Sequence, residues 1–348
     1  MRRSDLKNRP AGLWRYREFF PFVKPGNIVS LGEGGTSIQE AGNLARTIGL
    51  NRLFLKQDFL NPTGSFKDRG STVLVSRAKE LGIGSVADDS SGNAGSSISA
   101  YCAKAGIKCT IYVPASAPEG KLTQISMYGA HLVKVQGSRS DVSETIEGLW
   151  RSNKIYYASH NLSPFFLEGM KSLACEVAEQ MNWEVPDHVV FPAGSGTLLI
   201  GAWKGFESMR RLDWTAMTPS IHAVQSEACM PIVSAFRSGL PHVEPAKEAD
   251  TIAGGIRIAN PVRGKQVLEV LRQTNGSAVS VSDAEILQYE RLLAQQEGIF
   301  AEPTSCAAIA GLARLVKEGT INRDESVVVP LTGFGLKDLK SAAMALSI

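Results

Sequence analysis

The chain has 348 residues, 43% of them apolar and 20% charged, with 37 Lys and Arg against 34 Asp and Glu. That length predicts two lobes, and that composition excludes an intrinsically disordered chain. The basic residues are scattered, which excludes a nucleic-acid footprint, and no apolar run reaches the length of a membrane span. The start, Met1-Arg2-Arg3-Ser4-Asp5-Leu6, has no apolar signal-peptide core. Five cysteines (Cys102, Cys109, Cys175, Cys229 and Cys306) are odd in number, far apart and without a Cys-x-x-Cys pair. They are expected to be small buried side chains in a reducing cytoplasm.

Residues 8–26 mix aromatic and basic side chains and end in Pro25-Gly26, as an N-terminal arm packed on the body would. The glycine-rich stretch Ser30-Leu31-Gly32-Glu33-Gly34-Gly35-Thr36-Ser37 fits neither dinucleotide nor P-loop spacing. Next come the strand-like run Leu53-Phe54-Leu55-Lys56-Gln57 and the peptide Asn61-Pro62-Thr63-Gly64-Ser65-Phe66-Lys67-Asp68-Arg69. Pro62 and Gly64 break regular structure, so this peptide is a turn that delivers Lys67 to the start of a helix over 71–81. The positive end of a helix dipole disfavours an ammonium group, and a lysine of lowered pKa suits imine chemistry. Taken alone, the peptide equally describes a surface lysine beside a turn.

Short β-rich runs then alternate with helical spacing. The runs are 85–89, 109–113, 131–135, 154–158, 188–192, 220–224, 278–281 and 326–330; helices are predicted over 93–105, 164–180 and 283–297. That alternation predicts an α/β fold with mostly parallel sheets covered by helices on both faces. The stretch 238–259 reads as loop. His131, His188, His222 and His242 lack ligand spacing, so no metal is expected.

Ligands of open parallel sheets sit at the carboxyl ends of the strands. Besides the Lys67 turn, three loops there are unusual. Ser90-Ser91-Gly92-Asn93-Ala94-Gly95 offers hydroxyls and a helix start to a small anion, and Asn93 could meet a phenolic oxygen or simply cap the helix. Pro192-Ala193-Gly194-Ser195-Gly196-Thr197-Leu198 has the parts of a metal-free phosphate cradle; the alternative is a plain tight turn. Leu331-Thr332-Gly333-Phe334-Gly335 places a hydroxyl between glycines, for a heterocycle nitrogen or as a helix cap. A lysine, an amide, a phosphate cradle and a hydroxyl together match pyridoxal 5′-phosphate.

With these motifs the chain resembles the pyridoxal-phosphate enzymes of the tryptophan synthase β-like fold (fold type II), and within them the threonine synthases. Ser30-Leu31-Gly32-Glu33-Gly34, the Lys67 peptide, Ser90 to Ala94 and Pro164-Phe165-Phe166-Leu167-Glu168-Gly169 carry the resemblance. Ile256-Arg257-Ile258-Ala259-Asn260-Pro261, Gly298-Ile299-Phe300-Ala301-Glu302-Pro303 and Leu331-Thr332-Gly333 extend it. It implies an arm over 1–28, a large cofactor lobe over 29–82 and 155–348, and a smaller mobile lobe over 83–154. It implies that Lys67 bonds the cofactor and moves protons on the substrate, with Phe66 beside it. Asn93 would meet the phenolate oxygen, Gly194, Ser195, Gly196, Thr197 and Leu198 the phosphate, and Thr332 the pyridine nitrogen. Ser90, Ser91 and Gly92 would take the α-carboxylate of an amino-acid substrate, in a homodimer; without a long N-terminal extension, regulation by an effector domain is not expected.

Two positions depart from the pattern. Where threonine synthases carry a threonine and an arginine on the substrate phosphate, this chain has Ala94 and Phe166. Charge-assisted hydrogen bonds contribute about 1.5–3 kcal/mol each, so losing two costs roughly a hundredfold or more in affinity. Lys171, His160 or Arg257 are candidates to compensate. Three functions follow: threonine formation from O-phosphohomoserine; elimination or replacement at Cβ of a serine- or threonine-like amino acid (the dehydratase or cysteate-synthase type); and cofactor or amino-acid binding without turnover.

Overall fold

The computed structural model describes residues 2–346 apart from 118, 138 and 248, with backbone alone at 119–121. The elements begin with β1 (Ile38–Glu40), α1 (Gly42–Ile48), β2 (Arg52–Lys56), α2 (Asp68–Glu80), β3 (Ser85–Asp88) and α3 (Asn93–Ala105). Then come β4 (Lys108–Pro114), α4 (Glu119–Met127), β5 (His131–Val135), α5 (Arg139–Arg151), α6 (Pro164–Gly169) and α7 (Lys171–Gln180). β6 (His188–Pro192), α8 (Thr197–Arg211), β7 (Ser220–Ser226), α9 (Pro231–Arg237) and α10 (Gly264–Gln273) follow. The last are β8 (Ala278–Val281), α11 (Asp283–Glu297), α12 (Pro303–Lys317), β9 (Ser326–Pro330) and α13 (Leu339–Ala345). No helix among the described residues is long and apolar enough to cross a membrane.

The chain divides into two compact units, residues 1–35 with 61–172 and residues 36–60 with 173–348. The first holds a three-stranded sheet in the order β3-β4-β5, parallel throughout, with Val86 opposite Cys109 and Ile111 opposite Leu132. The second holds six strands in the order β1-β2-β9-β6-β7-β8; only the β1–β2 pair is antiparallel. The α/β expectation holds.

Central strands of a parallel sheet are covered on both faces and so read as unbroken apolar runs. β9 fits, with all five residues buried, and its neighbour β6 is buried over His188 to Phe191. Helix α12 packs on this sheet through small residues: a Cβ on Gly311 would lie 2.3 Å from Val224 Cγ2. A buried charge also lies in this sheet: Lys56 at the end of β2, whose Nζ meets Glu176 at 2.8 Å, Gln180 Oε1 at 2.9 Å and the Thr36 carbonyl at 2.5 Å.

Three elements differ from the sequence expectation. The run 154–158 forms only a bridge of Tyr157 to Ala87, because two hydrogen bonds tie Ala87 to Tyr156 and Ala158 before the chain turns at Ser159. Residues 164–180 form two helices, α6 and α7, split at Met170. The short strand β1, Ile-Gln-Glu, is too polar and brief to show an alternation. All five cysteines are buried, as expected of small core side chains, and none is joined in a disulfide.

Candidate functional site

In the first unit the Lys67 turn is held from several sides. Asn61 Oδ1 accepts from Gly34 N at 2.9 Å, and Gly64 takes a φ of +81°, which glycine adopts without strain. Lys67 is the N-cap residue of α2. The neighbouring Asp68 carboxylate accepts from Thr63 N (2.7 Å), Thr63 Oγ1 (2.6 Å) and Ser97 Oγ (2.6 Å), so it locks the turn to α3. Burial pushes the Asp68 carboxyl up to about 6 against those hydrogen bonds.

Glu33 anchors the glycine-rich stretch. It is buried and accepts from Tyr101 Oη (2.8 Å), Trp14 Nε1 (3.0 Å), Ser30 Oγ (3.1 Å) and Leu31 N (2.8 Å). The first turn of α2 lies directly on α6. A Cβ on Gly70 would meet the Phe166 ring at 2.6 Å, and one on Gly169 would meet the Arg69 carbonyl at 2.0 Å. Phe166 is therefore wholly buried, and Lys67 Nζ stands 4.7 Å from the Phe66 ring centroid and 5.8 Å from that of Phe166.

The Ser90–Ala94 loop leaves β3 and enters α3 at Asn93. It doubles back so tightly that a Cβ on Gly95 would sit 1.9 Å from the Ser90 carbonyl oxygen. Ser91, Gly92 and Asn93 stay half-buried, while Ala94 is buried.

In the second unit Gly194, Ser195 and Gly196 link β6 to α8. Gly196 has φ +81° and faces Val267, whose Cγ2 a Cβ would meet at 2.1 Å; Gly194 would meet the Gly255 carbonyl at 2.9 Å. Among the described residues, the N–H groups of Gly194, Ser195, Gly196, Thr197 and Leu198 donate to no backbone carbonyl. N–H groups at a helix start that meet no backbone carbonyl, with the Ser195 and Thr197 hydroxyls beside them, would suit an anion without a metal. Thr332 is buried at the end of β9, with Oγ1 3.1 Å from Ser305 Oγ. Ser305 Oγ also accepts from Thr332 N (2.8 Å) and Gly333 N (3.1 Å). The Glu302 carboxylate lies where a Cβ on Gly333 would stand.

Within the first unit the structure thus gathers Lys67, Phe66 and Phe166, and builds Ser90 to Ala94 into one tight loop. Within the second it forms the 194–198 turn and seats Thr332. Sequence reading missed Ser305, an ordinary-looking serine in an apolar helix, because no local pattern signals its contacts across 27 positions. It also missed Asp68 and Glu33 as anchors, although both lie inside quoted motifs.

A lysine at a helix start in the first unit, a turn suited to an anion in the second and mostly parallel α/β sheets in both are the parts that a phosphorylated aldehyde cofactor would need. Residues 29–333 match the sequence profile of the family described as pyridoxal-phosphate dependent enzyme. Over 343 residues the chain is 41% identical to threonine synthase of Methanocaldococcus jannaschii, covering 98% of this chain and 84% of that one. It is 40% identical to threonine synthase of Methanosarcina acetivorans, with 96% and 82% covered. Among solved structures it is similar to processed threonine deaminase isoform 2 from Solanum lycopersicum, with TM-score 0.78, 18% identity, and 98% and 91% of the chains covered. Maize serine racemase matches with TM-score 0.76, 19% identity, and 90% and 91% covered. These two likenesses show the fold, that of fold type II. The chain belongs to the pyridoxal-phosphate-dependent enzyme family.

Proposed function

We propose that this protein is a pyridoxal-phosphate-dependent lyase of the threonine synthase type, converting O-phospho-L-homoserine and water to L-threonine and phosphate. The observation that carries the reading is the 41% identity to a threonine synthase over 98% of the chain. The cradle supports the cofactor: its N–H groups, which meet no backbone carbonyl among the described residues, suit a phosphate, and its glycines leave no room for a Cβ. Gly194, Ser195, Gly196, Thr197 and Leu198 would hold that phosphate, Asn93 the phenolic oxygen, and Thr332, positioned by Ser305, the ring nitrogen. When bound, the cofactor would supply an electron sink for charge developing at the substrate Cα. Lys67, flanked by Phe66, would be the amine that takes the cofactor aldehyde and would carry protons at Cα, Cβ and Cγ of the substrate. Ser90, Ser91 and Gly92 orient the α-carboxylate.

A second reading, elimination or replacement at Cβ of a serine- or threonine-like amino acid, is favoured by one feature. Phe166 is a buried ring packed on Gly70 instead of a cationic fork, and Ala94 adds no hydroxyl. Incubation with O-phosphohomoserine, serine and threonine in separate reactions distinguishes the two. The first reading expects phosphate and threonine in equal amounts, and phosphate without threonine overturns it. Ammonia and 2-oxo acid from serine or threonine, with O-phosphohomoserine inert, establish the second.

A further inference from the structure

Asp88 closes β3, Asp89 follows it, and His160 stands just beyond the segment that pairs with Ala87. All three are buried, at 0%, 5% and 4% exposure. One donor atom from each lies within 4.8 Å of the other two. Asp88 Oδ1 is 3.2 Å from His160 Nδ1, and Asp89 Oδ2 accepts from Ser143 Oγ at 2.6 Å. The remaining oxygens, Asp88 Oδ2 and Asp89 Oδ1, are buried and meet no donor in hydrogen-bond geometry among the described residues, with the Tyr157 hydroxyl the nearby polar group on the Asp89 side.

A buried carboxylate oxygen without a partner loses its hydration and gains nothing in return, so such groups are paired or hold metals.

We propose that Asp88, Asp89 and His160 form a binding site for one divalent first-row transition-metal cation of the Zn²⁺ or Mn²⁺ kind. An imidazole beside two carboxylates suits these ions better than Mg²⁺ or Ca²⁺, which take oxygen ligands throughout. Three protein ligands leave the remaining positions to water. Metal–ligand bonds of about 2.0–2.2 Å draw the donors closer than they now stand, a movement of side chains within one pocket. The ion ties the end of β3 to the 156–160 segment and fixes the point from which the Ser90–Asn93 loop departs. Sequence spacing gave no sign of this site, because His160 lies 72 positions from Asp88. The site does not depend on which amino acid the protein converts.

The test uses the cofactor-loaded protein, stripped with a chelator, incubated with Zn²⁺ or Mn²⁺, desalted and assayed for metal by mass spectrometry. One equivalent retained is expected, with a melting temperature that rises with metal concentration. Asp89→Asn and His160→Gln each lower the affinity by at least ~tenfold, whereas the exposed Asp250→Asn leaves it unchanged. Retention of less than ~0.1 equivalent by the wild type, or equal affinity in the cluster variants, overturns the proposal. If a variant fails to fold, titration of the wild type followed by imidazole NMR decides: His160 signals shift with one equivalent of Zn²⁺, and unmoved His160 signals overturn the site.

Discussion

Lys67 owes its placement to side chains other than its own. Asn61 and Asp68 hold the turn on either side of it, and Phe66 and Phe166 shield the amine with two rings. Lys67→Ala should abolish turnover by at least ~10³-fold and remove the visible absorbance of the lysine-bound cofactor, with the melting temperature of the cofactor-free protein nearly unchanged. Absorbance and steady-state assays check it. A second residue-scale expectation concerns Glu290, which is buried on α11 with neither carboxylate oxygen hydrogen-bonded among the described residues. Burial, with Asp338 adding repulsion, raises its carboxyl to about 7. The folded state therefore favours the protonated form. Its stabilising effect is complete below about pH 4.5 and is lost as pH rises through 7. Glu290→Gln should match the wild type near pH 4 and exceed it by roughly 2 kcal/mol above pH 8, measured by urea unfolding across that range.

At the scale of elements, much was legible. β5, α3 and α11 begin and end where their residue patterns predict, and α3 and α11 each bury a face whose period matches helical geometry. The split of 164–180 was not legible: the break at Met170 answers to the backbone of Arg69 crossing at Gly169, a contact between distant parts of the chain. The four unusual loops could be found from their glycines and hydroxyls, whereas Ser305 and the Asp88–Asp89–His160 cluster arise only when separate segments meet. The Lys56–Glu176 pair between β2 and α7 carries the element-scale prediction. Lys56→Ala strands a buried carboxylate and should cost about 3–5 kcal/mol, whereas Lys56→Met with Glu176→Leu should recover most of that loss. Chemical denaturation of the three proteins tests the difference.

For the molecule as a whole, two expectations follow from composition and family. With five buried cysteines, none joined in a disulfide, the melting temperature should not change when a thiol reductant is added, and a drop on reduction would contradict the assignment. Pyridoxal phosphate binds the folded chain, so apparent stability should rise by about 2.7 kcal/mol when free cofactor reaches a hundred times its dissociation constant. Calorimetry over a series of cofactor concentrations measures this. Both expectations hold for either substrate, since the cradle and the lysine are indifferent to the leaving group.

The contact between Phe166 and Gly70 has a consequence for how such an enzyme can change its substrate over time. Residue 166 is both a candidate determinant of the leaving group and the plate on which the first turn of α2 rests. An arginine placed there must keep that turn supported while finding a partner for its charge, so a change at this one position carries a structural cost. Changes at this position therefore pass through less stable forms of the protein, so fold stability limits which side chains can stand beside Lys67.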